Sequence, residues 1–397
     1  MQNNISIVGG GVTGALLALN LGRSGLDVSL IDRGEPSKAY PNLYQGRTTS
    51  LNLASIESLR QSGIWDSIQP HSKAFNEIYV WDAEGSSSIR FHSSDINRKE
   101  LGVIVHNNVI LEAIFKKLID IPTVKIIENE GLTDISTSTD KIVLTTDAEK
   151  TIISEILIGA DGSLSKVRSI SKMPVRTWSY HQIAIVSSVE TEKPFNNTAF
   201  QIFTDTGPIA FLPTVSGANE ASLIWSTDEV YGKNLLSIEE DDFLEELRLK
   251  TENRFGKIKL KEKINSFPLH QLHAKRFAQG RVALVGDSAH TIHPLAGQGL
   301  NLGISDVTEL THLILKAQRY GNGLSDLNIL QAYSKRRQPD SYKMIGLMEA
   351  FKRGFGSESL WMKVGRNFAF NFANKTCLLY TSPSPRDVEE SRMPSSA

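Results

Sequence analysis

The 397-residue chain opens with a glycine-rich segment whose spacing is typical of phosphate binding. Gly9, Gly11 and Gly14 lie between a predicted strand and a predicted helix over residues 12–23. Glycines there permit a tight turn close to a pyrophosphate, and the helix start supplies free N–H groups and the positive end of its dipole. Asp32 ends the next predicted strand, where an acid can accept hydrogen bonds from ribose hydroxyls. The pattern predicts a dinucleotide site; the alternative is a tight turn that holds no ligand.

Two later segments could contact the rest of such a cofactor. Gly286 and Asp287 follow a predicted buried strand over residues 282–285, so Asp287 could bind the hydroxyls of a ribityl chain. The alternatives are a helix cap and a solvated acid in a turn. The next segment opens a long predicted helix, and its N–H groups suit the negative charge of a reduced flavin. Its residues are Pro294, Gly297, Gln298, Gly299, Leu300 and Asn301. His290 and His293 beside it are more typical of packed, hydrogen-bonded histidines than of catalytic groups.

A fourth segment begins with Asp161 and Gly162, directly after a predicted strand over residues 156–158. On residue types alone it predicts a tight turn, with Ser163 or Ser165 capping a short helix.

The elements that must position these segments predict an α/β fold. A Rossmann-like nucleotide-binding domain is interrupted by a substrate domain built on an antiparallel sheet, and helices follow at the C-terminal end. The nucleotide-binding domain is predicted to comprise residues 1–75, 100–175 and 268–340, and the substrate domain 76–99 and 176–267. The predicted helices include 50–61 and 107–118, and the predicted strands include 5–8, 28–31, 124–127, 142–144 and 152–158, with a hairpin over 78–91.

Composition narrows the function classes. Lys and Arg number 43 against 44 Asp and Glu, so the chain has no overall charge that would attract nucleic acid. The single cysteine, Cys377, excludes an internal disulfide and agrees with a cytoplasmic setting. We expect no metal site, because no Cys/His cluster has ligand spacing. Residues 5–22 lack charge, yet their glycines favour a strand, a turn and a helix over a membrane span, and the uncharged start does not indicate a secretory signal.

The C-terminal end is predicted not to belong to the native fold. Residues 377–387 look like the translation of a sequencing-library adapter, so we expect residues 376–397 to be non-native and the helices over 341–375 to be truncated. The alternative is a disordered tail rich in Ser and Pro, which would also carry no chemistry.

The four segments, in their order along the chain, resemble those of the single-component FAD-dependent aromatic hydroxylases, the class A flavoprotein monooxygenases. The chain is most similar to the ubiquinone-biosynthesis hydroxylases of that family, although His106 occupies a position where an acid is usual. The stretches that carry this closer resemblance are residues 47–51, 101–105, 199–203, 207–213, 288–303 and 333–340.

The resemblance implies a fold like that of p-hydroxybenzoate hydroxylase, with FAD as cofactor and NAD(P)H as electron donor. It implies that O2 reacts with the reduced flavin to give a C4a-hydroperoxide, which hydroxylates an aromatic ring, here of a prenylated phenol. It further implies that Asp161, Gly162 and Arg168 serve FAD and the nicotinamide, that Asp287 contacts the ribityl chain, and that Arg33 and Arg47 lie near FAD.

Several points stay open on the sequence. No catalytic residue can be assigned from the sequence. His181 is a candidate proton acceptor, and the alternative is an ordinary surface or core histidine. The amphipathic stretch 344–372 could dock on a membrane surface, such as the inner membrane, or on a ubiquinone-biosynthesis complex, or it could simply cover the core. Two other functions remain: an FAD-dependent reductase or dehydrogenase on the same scaffold, and a non-catalytic lipid-binding subunit.

Overall fold

The computed structural model describes residues 3–38, 42–83, 88–292, 299–321, 323–324 and 326–354. Pro294, Gly297 and Gln298, most of the predicted C-terminal helices and the tail 376–397 lie outside these ranges.

Within these residues the chain forms strands β1 to β21 and helices α1 to α9. The strands are Ile5–Val8, Val28–Ile31, Thr48–Asn52, Lys73–Phe75, Glu77–Asp82, Ser88–His92, Gly102–His106, Val124–Ile127, Leu132–Thr137, Ile142–Thr146, Thr151–Ser154, Ile156–Gly159, Val175–Thr191, Thr198–Thr204, Gly207–Pro213, Glu220–Asp228, Ile258–Leu260, Asn265–Ala274, Ala278–Gln279, Val282–Leu284 and His290–Thr291. The helices are Val12–Arg23, Leu53–Gln61, Trp65–Ile68, Asn107–Leu118, Lys166–Ile170, Glu229–Leu235, Glu240–Lys250, Gly299–Arg319 and Asn328–Gly354; short 3₁₀ turns lie at Gln69–His71, Ser93–Ile96 and Gly286–Ser288.

A six-stranded sheet in the order β19-β20-β12-β1-β2-β8 forms the predicted nucleotide-binding half. Its central strands β1, β2 and β12 are four residues long and buried along their whole length, as expected for parallel strands covered on both faces. Ile5 pairs with Val28 on one side and with Ile156 on the other. Because parallel strands end at the same edge, the segments that follow β1, β2, β12 and β20 meet there.

The half predicted to bind the substrate is built on a larger sheet in the order β21-β18-β13-β16-β15-β14-β5-β6, with β17 also paired to β13. One face packs on α6 and α7 through buried residues such as Ile185, Trp225 and Phe243. The prediction of an antiparallel sheet needs one correction, because β14 and β5 pair in parallel. The two strands belong to distant segments of the chain, so no hairpin forces them to run in opposite directions.

Two three-stranded sheets complete the fold, in the orders β11-β10-β9 and β3-β7-β4. The second packs against the large sheet, where Phe75 and Ile104 meet Leu212 and Ala199 in a small apolar cluster. The Thr48 hydroxyl also donates a hydrogen bond to Ser222 Oγ at 2.8 Å, which ties β3 to β16.

Local predictions were mostly confirmed, with two corrections. The helix predicted over 50–61 begins only at Leu53, because Ser50 belongs to β3 and the Asn52 side chain caps the helix by accepting from Ser55 N at 2.8 Å. The strand predicted over 152–158 is two strands, β11 and β12, which lie in different sheets. The domain boundaries themselves stay predictions.

Among the described residues, no helix has the length and apolar character needed to cross a membrane. The uncharged stretch 5–22 forms β1, the glycine turn and most of α1.

Candidate cofactor site

The glycine turn between β1 and α1 has one face packed on protein and one face open. A Cβ on Gly9, whose φ is +110°, would overlap the carbonyl oxygen of Ala160, and a Cβ on Gly14 would overlap the carbonyl oxygen of Gly9. A Cβ on Gly11 would meet nothing within 4 Å. Gly11 is also the N-cap of α1, which begins without a side-chain capping hydrogen bond. The open face therefore fits an anionic group held by the backbone at the helix start.

Asp32 is fixed in place at the end of β2. Its Oδ2 accepts from Gly10 N at 2.6 Å and its Oδ1 from Gly34 N at 2.7 Å. A carboxylate oxygen can accept more than one hydrogen bond, so the held carboxylate can still bind ribose hydroxyls. The neighbouring Arg33 is exposed, and its stem lies against Gly131.

Asp287 lies in the 3₁₀ turn that follows β20. Its side chain is half-buried, and its carboxylate makes no hydrogen bond with a described residue. The turn itself is well held, since Ser288 Oγ donates to the carbonyl oxygens of Gly159 and Val285 at 2.6 and 2.7 Å. Asp287 thus offers acceptor atoms from a fixed backbone.

Thr13 is the point where three of the predicted cofactor segments meet. A Cβ on Gly286 would lie 3.1 Å from Thr13 Oγ1, and one on Gly303 would lie 2.8 Å from the same atom. The start of α1, the turn before Asp287 and the first turns of α8 therefore pack together only because these positions are glycine. Thr13 occupies one of the variable positions of the glycine motif, so its role could not be predicted from the motif.

Arg47 approaches the start of α8. A Cβ on Gly299 would lie 3.7 Å from Arg47 Nη2, and the Arg47 side chain is exposed with no ion pair to a described residue. A guanidinium beside a helix N-terminus concentrates positive potential, which favours an anionic ligand.

The next two residues of α8 contribute differently. Leu300 packs against the main core. The buried Asn301 side chain joins α8 to β3, because its Nδ2 donates to Ser50 O at 2.7 Å and its Oδ1 accepts from Asn52 N at 3.1 Å. A cofactor contact from Asn301 stays a prediction.

The segment that begins at Asp161 makes its hydrogen bonds mainly within itself and with the turn that carries Asp287. Asp161 accepts from the backbone amides of Lys166 and Val167 at 2.7 and 3.1 Å, and Ser165 is the N-cap of α5, as the simpler interpretation predicted. Arg168 Nη1 donates to Ser288 O at 2.8 Å, and burial lowers the pKa of Arg168.

Gly162, in the same segment, has a φ of +77° and faces open space. The roles of Asp161, Gly162 and Arg168 toward FAD and the nicotinamide stay predictions.

Of the three histidines singled out from the sequence, His293 lies outside the described residues, and the other two have very different settings. His181 lies in a bulge of β13 with φ +52°, exposed, with its backbone amide bonded to Ser179 Oγ at 3.0 Å. No described contact links it to Asp287 or Arg47. His290 is buried, and its Nε2 lies 2.6 Å from Asp306 Oδ2, which fits the structural role expected for it.

His106 was noted in the sequence only as a departure from a family pattern. It is buried beside the segment that carries Arg47, since it pairs with Thr48 across β3 and β7. Burial lowers its pKa, so the imidazole is neutral at neutral pH. The Tyr44 ring lies edge-on to it at 6.1 Å.

No group of three or more potential metal ligands occurs in the part of the chain that the structure describes.

This architecture is the fold of the FAD-dependent monooxygenases. It superposes on PqsL of Pseudomonas aeruginosa, described as a probable FAD-dependent monooxygenase, with a TM-score of 0.77 over 89% of this chain and 97% of that one. Sequence identity between them is 19%, so this likeness shows the fold alone.

The chain belongs to the FAD binding domain family, whose sequence pattern matches residues 2–346. It is 31% identical to the 3-demethoxyubiquinol 3-hydroxylase of Escherichia coli K12, over 94% of this chain and 95% of that protein. It is 30% identical to the mitochondrial ubiquinone biosynthesis monooxygenase COQ6 of Danio rerio, over 94% of this chain and 86% of that protein. These matches confirm the predicted fold class, the resemblance to the ubiquinone hydroxylases, the FAD cofactor and an enzyme of the FAD-dependent monooxygenase class.

Proposed function

We propose that this chain hydroxylates the aromatic ring of a prenylated phenol in ubiquinone biosynthesis. One atom of O2 enters the ring, the other leaves as water, and NAD(P)H supplies the two electrons. The names of the relatives support the substrate class. The assignment of NAD(P)H as the electron donor depends on the family resemblance found in the sequence.

The observation that carries the proposal is the convergence of three cofactor segments on Thr13, with Arg47 beside the start of α8. Bound FAD would supply the activation of O2, which side chains cannot perform. The open face at Gly11 and the start of α1 would hold the pyrophosphate, and Asp32 the ribose. Asp287 would hold the ribityl chain. Arg47 and the N-terminus of α8 would stabilise negative charge on the flavin ring.

An apolar wall for the substrate is formed by the large sheet on its face toward the nucleotide-binding half. Ile224 packs with the cluster against β4 and β7, which identifies that face. Ile224 pairs with Val186 of β13, so the two side chains share a face of the sheet. Ala184 lies two residues before Val186 and pairs with Phe267, so Phe267 lies on that face too. Trp178 pairs with Gln271, four residues further along β18, and shares the face too.

Both aromatic side chains are poorly covered for their size. Trp178 is 39% exposed and Phe267 is 40% exposed. Large apolar side chains exposed together on one face of a sheet are typical of a surface that binds an apolar ligand, so we infer that this wall receives the prenyl tail.

Membership of a ubiquinone-biosynthesis complex and a peripheral position at the inner membrane are further parts of the proposal. The stretch 344–372 that suggested them lies mostly outside the described residues. Met344 at its start is buried against Ile292 and Leu302, which favours the core-covering alternative for that first turn.

The experiment combines cofactor and product analysis. Purified protein should retain FAD and consume NAD(P)H when a prenylated phenol and O2 are present. Expression in hosts that each lack one quinone-ring hydroxylase should restore one hydroxylated product and identify the ring position. FAD binding without any hydroxylated product would favour the reductase, and absence of FAD would favour the lipid-binding subunit.

A further inference from the structure

A buried ionic network lies in direct contact with the turn that carries Asp287. Asp306, on α8, is completely buried. Its Oδ2 accepts from Gly286 N at 2.9 Å and from His290 Nε2 at 2.6 Å, and its Oδ1 accepts from Arg337 Nε at 2.8 Å. His290 and Arg337 are only 1% and 4% exposed. The network therefore joins α8, β21 and α9 to one backbone amide of the turn.

The charges in this network favour an ionised carboxylate. Burial alone would raise the pKa of Asp306, but His290 and Arg337 outweigh burial, so the pKa lies below its usual range. Arg337 is oriented in turn by Asp340, whose Oδ2 accepts from its Nη1 at 2.9 Å. Hydrogen bonds to a charged acceptor are stronger than those between neutral groups, so the Asp306 carboxylate holds the Gly286 amide strongly.

The turn needs such an acceptor because its geometry is unusual. Gly286 has a φ of +61° and a buried amide, which would be costly without a partner. Asp287 is the next residue, so the Gly286 amide fixes the backbone from which the Asp287 carboxylate projects.

We propose that Asp306 is a positioning residue for the cofactor. Held by His290 and Arg337, it sets the turn so that Asp287 faces its ligand. The proposal rests on the role of Asp287 in the proposed function. It makes α9, through Arg337, part of the support of the flavin site.

The test compares Asp306→Asn with wild-type protein. Asparagine keeps the size but replaces one acceptor oxygen with a donor, so it cannot accept from all three partners. We expect the FAD dissociation constant to rise roughly tenfold to a hundredfold, as for loss of a hydrogen bond to a charged group. The visible circular dichroism of bound FAD should change. In the apoprotein, hydrogen–deuterium exchange of the peptide spanning residues 285–289 should become faster.

The matched control is Tyr333→Phe. Tyr333 is fully buried on α9 and donates to Leu284 O at 2.8 Å, so the variant also removes one buried hydrogen bond. It leaves Asp306 and the Gly286 amide intact. We expect a lower unfolding midpoint with unchanged FAD affinity and unchanged exchange of the turn.

Two outcomes would overturn the proposal. In one, Asp306→Asn binds FAD with wild-type affinity and spectrum; in the other, Tyr333→Phe weakens FAD binding equally. If Asp306→Asn does not fold, Arg337→Lys keeps the positive charge and should weaken FAD binding severalfold, and unchanged affinity would count against the proposal. If wild-type protein binds no FAD, the proposed function fails, while the exchange of the turn still decides whether Asp306 positions it.

Discussion

Gly14 packs directly on the carbonyl oxygen of Gly9, so the third glycine of the motif serves the turn itself. Gly11, between them, touches no protein atom on its open side. Gly9 and Gly14 are therefore required by the packing of the turn, whereas Gly11 is required only by a ligand at the helix start.

This difference predicts opposite phenotypes for two alanine variants. Gly11→Ala should change the apoprotein's free energy of unfolding by less than about 1 kcal/mol, because alanine adopts the φ of −67° found at Gly11 without strain and its Cβ would meet nothing within 4 Å. It should weaken FAD binding at least tenfold by filling the ligand face. Gly14→Ala should destabilise the apoprotein by roughly 1–3 kcal/mol through overpacking. Urea unfolding and FAD titration measure both, and wild-type FAD affinity in Gly11→Ala would show that the open face is not the ligand face.

Asp32→Ala should disorder the glycine turn as well as weaken FAD binding. The variant leaves the Gly10 and Gly34 amides without the acceptor they have at 2.6 and 2.7 Å. Losing hydrogen bonds to a charged acceptor costs about 1.5–3 kcal/mol of unfolding free energy. Asp134→Asn, at an exposed position of β9, is the control and should match wild-type protein in urea unfolding and FAD titration. Equal behaviour of the two variants would contradict the role given to Asp32.

Arg47→Gln should separate cofactor affinity from stability. The side chain is exposed and pairs with no described acid, so the unfolding free energy should change by less than about 0.5 kcal/mol. FAD affinity should fall, and its salt dependence should weaken because a charge attraction is screened by ions. Arg47→Lys should retain part of both effects. An unchanged affinity in titrations at low and high salt would place the flavin's negative charge elsewhere.

Phe267→Ala and Trp178→Ala should act on the tail of the substrate. We expect a severalfold higher KM for a prenylated phenol and little change for a phenol without the tail, because each truncation removes apolar contact area. FAD binding should be unaffected. Tyr320→Ala, a truncation of an aromatic side chain that is 72% exposed just after α8, serves as control. If KM rises equally with both phenols, the wall does not recognise the tail.

Stability should fall in mild acid because of His273. Burial, together with the nearby charges of His290 and Arg176, lowers its pKa to about 4. Between pH 6.5 and 4 the unfolded chain binds a proton that the folded chain does not, so this contribution to stability is complete above pH 6.5 and declines as the pH falls. The loss from pH 7 to 5 should be about 1–2 kcal/mol. His273→Gln should lose less over that range in urea unfolding, and a parallel pH dependence of the two proteins would refute the assignment.

The sequence predicted the parts of the fold where local pattern and tertiary environment agree. The buried strand Ile5–Val8 and the glycine turn that follows were readable because continuous apolar runs and glycine spacing are local features. β9 was missed because its residues are mostly exposed and give no alternating pattern. The parallel pairing of β5 with β14 joins segments that are far apart in the chain, so no local sequence pattern could predict it.

The candidate site shows the same division. Asp32 and Asp287 could be found from their positions after strands, but Asp306 and Arg337 could not. Each lies in a helix, where a lone charged residue usually indicates a solvated face. Their pairing depends on the packing of α8 against α9, and that is tertiary information.

The order of strands in the six-stranded sheet also affects how the protein is made. Strand β1 is synthesised before the other strands of this sheet, yet it lies in the interior between β2 and β12, and β20 joins only beyond β12. Ile5 cannot pair with β12 until Ile156 has been synthesised, and Leu157 cannot pair with β20 until Val282 has been synthesised. The nascent chain must therefore carry an unpaired hydrophobic strand edge until β20 has been synthesised. Such long-range pairing slows folding, so we expect protection by chaperones during translation and capture of FAD only after β20 and α8 have been synthesised.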